Sequence, residues 1–170
     1  MDKYLDSVVD KYAREAEYFI VNTWDGYSNF TLNIKKDYSK TRSCSRGGLY
    51  ASGPGINIAM VFFTRPTLSI YRFYEYKSYD NDKIIGGFFS NDQEHRIAAI
   101  TLHEVAHAAQ FYGVANGLVN RDTPHGLSFK KPYKLLRKQF LNHKIPINQY
   151  KLKLEYEKII NRINNGLSVA

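Results

Sequence analysis

At 170 residues, with 44% hydrophobic and 24% charged side chains, the chain is long enough to bury one substantial core, and its composition excludes a wholly disordered polymer. No window approaches the run of about 18 apolar residues that a spanning helix needs, so no membrane partner is expected. The formal charge of +8 is unevenly placed: 14 Lys and Arg balance 14 Asp and Glu up to residue 125, whereas from Lys130 to Arg162 the count is 10 against 2. A basic last third permits an acidic partner such as nucleic acid, or simply a solvated helix face.

Leu5, Val8, Tyr12, Ala16 and Phe19 recur at helical spacing and predict an amphipathic helix from Asp2 to about Ile20, broken at Trp24 to Gly26. In YSNFTLNIKK, Phe30, Leu32 and Ile34 alternate with polar neighbours, the period of a half-buried strand. RSCSRGGLYASGPG is rich in Gly and Ser and predicts a turn; INIAMVFF after it predicts a well-buried strand. Past the break at Thr64 to Pro66, LSIYRFYEYKSY reads as a Tyr-rich strand ending in the turn Asp80 to Asp82, and KIIGGFF as a segment that pairs back or leads into the next helix.

Ser90 or Asn91, with Gln93 or Glu94 three residues on, is a capping signal for a helix from about Asp92 to Tyr112, with Gly113 as its stop. GVANGLVNRDTPHG is then a long polar connection of the kind that is functional or mobile. Leu127 to Leu141 is helical in pattern, with Tyr133, Leu136 and Phe140 on one face and Pro132 acceptable only in a first turn. A last helix is expected from about Asn148 to Asn164. Helices at both ends around a group of strands, without repeat or linker, predict a single α+β domain over residues 1–170 with a basic helical region at about 130–165.

The segment TLHEVAHAAQFYG carries the chemistry. His103 and His107 stand four apart, so on a helix their imidazoles leave the same face one turn apart and can converge on one ion. Glu104 follows the first of them, which sets its carboxylate beside such an ion rather than on it. There it can take a proton from a metal-bound water and pass it to a leaving amine. Two histidines merely satisfied in a core would leave that neighbouring glutamate as a buried carboxylate with no task.

A catalytic zinc site takes a third protein ligand and keeps a fourth position open. His125 lies 18 residues after His107, beyond a Gly-containing excursion long enough to bring the chain back. Asp122 is close to it but would leave His125 unexplained; Glu155 and Glu157 sit in a basic helical pattern where ion pairing accounts for them. His143, between Asn142 and Lys144, and His95, in the first turn of the motif helix, both read as solvent-facing.

HEVAH, followed after a connection by HGLSF at His125 to Phe129, resembles the SprT-like metalloprotease domain, the family of the Spartan proteases. SRGGLY with GINIAM resembles the turn and strand that precede the active-site helix in that family, so the likeness spans about residues 42–141. The resemblance implies Zn2+ held by His103, His107 and His125 with Glu104 as general base. It also implies a minimal zincin-like fold, a small mainly antiparallel sheet packed against the active-site helix with flanking N- and C-terminal helices, and a protein or peptide substrate lying extended along an edge strand. With one cysteine the chain offers no counterpart to the family's Cys-rich zinc ribbon, through which some members bind nucleic acid.

The expected function is therefore that of a zinc-dependent endopeptidase, acting on DNA-associated proteins if Lys130, Lys131, Lys134, Arg137 and Lys138 hold a phosphate backbone past the site. The alternative is a nucleic-acid-binding module whose metal is structural and non-catalytic. Cys44 stands alone, which excludes an intramolecular disulfide, and with no secretory leader pattern at the N-terminus it predicts a cytoplasmic protein.

Overall fold

The computed structural model describes residues 2–39, 44–46, 54–60, 64 and 93–141. The first helix, α1 (Lys3–Thr23), is capped by Asp2, whose carboxylate accepts from the amides of Tyr4 and Leu5. It ends where Trp24 turns extended, and Gly26 at φ +82° takes the left-handed position that the following turn requires. Leu5, Val8, Tyr12 and Ala16 of the predicted stripe are buried and are joined by Val9, Ala13 and Ile20, whereas Phe19 is only partly buried against the core.

Phe30 and Leu32 are buried as the alternation required, but they precede the strand, which begins one residue later as β1 (Asn33–Asp37). Side chains on α1 occupy the backbone of Leu32 in place of a ladder partner: Glu17 accepts its amide at 2.8 Å and Arg14 donates to its carbonyl at 2.9 Å. Within the stretch expected to turn, Cys44–Arg46 is instead a short strand, β2, and the buried strand that follows is β3 (Gly55–Ala59).

The sheet order is β1-β3-β2. β2 pairs antiparallel with β3, but β1 pairs with it in parallel along five residues from Asn33 opposite Gly55 to Asp37 opposite Ala59. Among the described residues the sheet is therefore mixed, and the expectation of a mainly antiparallel one is corrected. Parallel neighbours need a crossover of a dozen or more residues. The chain between Asp37 and Gly55 is long enough to supply it, and β2 lies within that crossover.

The second helix, α2 (Gln93–Ala115), carries the histidine motif and is buried along most of its length, as expected of a helix at the centre of the fold. It packs against α1, β2, β3 and a third helix, α3 (Leu127–Leu141). The small side chains of Ala98, Ala99, Ala106, Ala108 and Ala109 let these neighbours come close. Tyr12 on α1 donates to Glu94 at 2.8 Å and ties the first turn of α2 in place.

Gly113 does not stop this helix, which continues to Ala115 and closes where Gly117 adopts φ +68°. What Gly113 provides is room. A methyl group there would collide with the hydroxyl of Tyr27, which donates to the carbonyl of Ala109 at 3.2 Å. Helix α3 starts at the predicted residue and buries Phe129, Tyr133, Leu136, Arg137 and Leu141. Pro132 sits in its second turn, beyond the first-turn position that the pattern allowed; burial of Phe129, Tyr133 and Leu136 offsets the cost of about 3 kcal/mol that an internal proline carries.

The α+β class, the helix packed on a small sheet and the N-terminal flanking helix α1 agree with expectation, as does α3 over Leu127–Leu141. No helix among the described residues is long and apolar enough to cross a membrane. The Tyr-rich strand, KIIGGFF, the Ser90 and Asn91 caps, His143, Glu155, Glu157 and the helix expected at Asn148 to Asn164 lie outside the described residues.

Candidate metal centre

His103 and His107 project from α2 one turn apart, with ring centroids 4.8 Å from each other. His125 reaches them from the connection before α3, its ring 5.5 Å from that of His103 and 4.7 Å from that of His107. The Nε2 atoms of His107 and His125 are 3.1 Å apart, and ligand atoms of the three rings all lie within 4.8 Å of one another. Two nitrogens at about 2.0 to 2.1 Å from a tetrahedral ion stand about 3.3 Å apart. One pair is already near that spacing. These three histidines lie close enough together to bind a metal ion.

Phe129 fills the space behind them. Its ring stacks on that of His107 at 4.1 Å and 24°, stands edge-on to His125 at 5.0 Å, and is stacked in turn on Tyr133 at 5.2 Å. Tyr133 also meets the edge of His103 at 5.3 Å. One face of α3 is thus an aromatic wall that limits how the imidazoles turn. Glu104 is buried on α2 with 7% exposure, next in the chain to His103.

Burial holds the His103 imidazole well below the usual histidine pKa, and the neighbouring His107 and His125 add to the shift. Burial likewise lowers His107 to about 4, partly opposed by the hydrogen bond from its ring to Gln110 and reinforced by His125. Both rings are therefore neutral at physiological pH without any cation present, the state in which imidazole is a ligand.

The order of the connection has a local cause. Asp122 folds back onto the start of α3, accepting from the Ser128 amide at 3.0 Å and from the Ser128 hydroxyl. Those two bonds, with a smaller part from Gln110, hold its carboxyl below the usual carboxylate range. Gly126 lies directly against the Asp122 carboxylate, where a larger residue would collide. Gly126 also accepts the Lys130 amide at 2.9 Å as the helix begins.

The structure brings together all three residues read from the sequence as ligands. Asp122, weighed as an alternative ligand, instead serves as an acceptor that shapes the loop. His95 is half-buried rather than solvent-facing and is not one of the clustered histidines. Arg137 was grouped with the lysines of α3 as a phosphate contact, but it is fully buried over Tyr133, so it drops out of that set. Gln110 and Ser128 were missed. Gln110 had a visible signal, since it follows His107 by three positions on one helix and so shares its face.

Comparison of the chain with protein-family models, with curated proteins and with solved structures finds no match in any of the three.

Proposed function

We propose that the chain is a zinc-dependent endopeptidase of the SprT-like, zincin kind, with His103, His107 and His125 holding Zn2+ and Glu104 as general base. The observation that carries this is the meeting of His125 with the two helix histidines, beside a glutamate that is buried. Three imidazole nitrogens are the donor set of a catalytic zinc site with one position left for water or substrate. When bound, the ion makes a water acidic near neutral pH and polarises the scissile carbonyl. With the ion bound, Glu104 would be the group that accepts a proton from that water and gives it to the departing amine, and the neutral imidazoles would hold the ion.

Of the described strands, β1 and β2 are the sheet edges, and β2 packs on α2. An extended protein or peptide could align there through backbone hydrogen bonds with little dependence on its sequence. The charge excess after residue 125, including exposed Lys131 and Lys138 on α3, supports substrates held on DNA. The same charge is what favours the second reading, a nucleic-acid-binding module with a structural metal.

Glu104→Gln separates the two. The endopeptidase loses cleavage of an unfolded protein substrate while its zinc content, measured on the purified protein, stays at one equivalent per chain. Undiminished turnover in that variant, or a wild-type chain that carries zinc and cleaves nothing with or without DNA, removes the peptidase proposal.

A further inference from the structure

We propose that Gln110 is a positioning residue: its carboxamide ties the loop that carries His125 to the helix that carries His107 and sets the His107 tautomer, so both rings are presented together before an ion arrives. The inference rests on the metal-centre reading for what the rings are presented to. The side chain of Gln110 is buried, at 4% exposure, and every polar atom it has is engaged. Nε2 donates to Ser128 Oγ at 2.7 Å, to the Thr123 carbonyl at 3.3 Å and to Asp122 Oδ1 at 3.3 Å, while Oε1 lies 3.1 Å from His107 Nδ1.

The chemistry of these groups leaves one arrangement. An ionised carboxylate and a backbone carbonyl only accept, so the amide must turn its NH2 toward Asp122 and Thr123. Its oxygen is then the atom facing His107, and an oxygen requires a donor there. His107 Nδ1 must carry the proton, which leaves the lone pair on Nε2, the nitrogen 3.1 Å from His125. The orientation thus propagates from an exposed aspartate, through one buried amide, to the nitrogen that would ligate.

The partners of Gln110 flank His125 on both sides, with Asp122 and Thr123 before it and Ser128 after it. Three contacts to one side chain hold a connection that closes on α2 across more than a dozen residues, an ordering that otherwise costs conformational entropy. Second-neighbour contacts of this kind alter metal affinity by about 10- to 100-fold when removed.

The test uses the full chain with 15N-labelled histidine and two readouts: the His107 tautomer in metal-free protein, from long-range proton–nitrogen couplings, and affinity for Zn2+ alone, by competition with a chelator. The wild type should show protonated Nδ1 on His107. Gln110→Leu should lose that preference and bind Zn2+ about 10- to 100-fold more weakly. The paired change Asp122→Ala with Ser128→Ala, at more accessible positions than Gln110, removes two of the three acceptors and leaves the Thr123 carbonyl alone to hold the orientation of the amide. It should give mixed tautomers and an affinity loss of about 10-fold, and it decides the matter if Gln110→Leu does not fold. A wild-type His107 protonated on Nε2, or variants that keep the wild-type tautomer, would overturn the proposal whatever their affinity. A wild type that binds no Zn2+ sinks the proposed function, while the tautomer still decides the role of Gln110.

Discussion

Acidifying the metal-free protein tests the site through its stability. His107 titrates near 6.5 when unfolded but at about 4 in the fold, chiefly because its ring is buried. Between those values the unfolded chain takes up a proton that the folded chain refuses, so stability is highest above pH 6.5 and falls as pH drops toward 4. A difference of about 2.5 units at about 1.36 kcal/mol each is a loss of about 3 kcal/mol from this ring. His103 is lowered for the same reason and adds in the same direction. The lowered carboxyls of Asp122 and Asp37 act in a separate window, since their contribution is lost as pH falls below about 3.8. Urea unfolding of chelator-treated protein from pH 7.5 to 4.2, alongside His107→Gln, is the assay. The wild-type free energy should fall steeply and that of the variant less so, by about 3 kcal/mol over the range. Parallel slopes for the two proteins would refute the assignment of a buried neutral imidazole.

His125→Ala should keep the fold, because the ring is only half-buried, but weaken Zn2+ binding by about a hundredfold. That figure is the roughly 3 kcal/mol per ligand obtained by dividing about 10 to 16 kcal/mol among four ligands, and isothermal titration reads it directly. Phe129→Ala removes a fully buried ring stacked on His107 and Tyr133, so thermal or urea unfolding should show a loss of about 3 to 5 kcal/mol. A loss under about 1 kcal/mol would mean that the aromatic wall is not packed as described. If DNA runs past the site, Lys131→Ala with Lys138→Ala should make the slope of log affinity against log salt shallower by about 2, measured by fluorescence anisotropy. An unchanged slope removes those two lysines as phosphate contacts.

Several features of the fold are legible in the chain alone, each for a local reason. The buried stripe of α1, the bounds of α3 and the central place of α2 follow from helical periodicity, which states the side of its own element on which a residue lies. Periodicity is silent on what that side meets. Arg137 shows how composition can mask that periodicity: among four lysines it looked like part of a solvated face, yet it stands four residues from both Tyr133 and Leu141 and shares their buried side. Gly113 was read as a helix stop because glycine is common there, whereas the demand for glycine comes from Tyr27, distant in sequence.

From its sequence, then, this protein declares an α+β chain with two histidines on one helical turn and a glutamate between them, because interactions within about four residues are dictated by backbone geometry. His125 was also expected as the third member of the cluster, but tertiary structure decided the rest: that β1 runs parallel to β3, and that Asp122, Ser128 and Gln110 hold the His125 connection against the helix pair. Those meetings depend on loop closure and on the packing of one element against another, and no spacing along the chain encodes them.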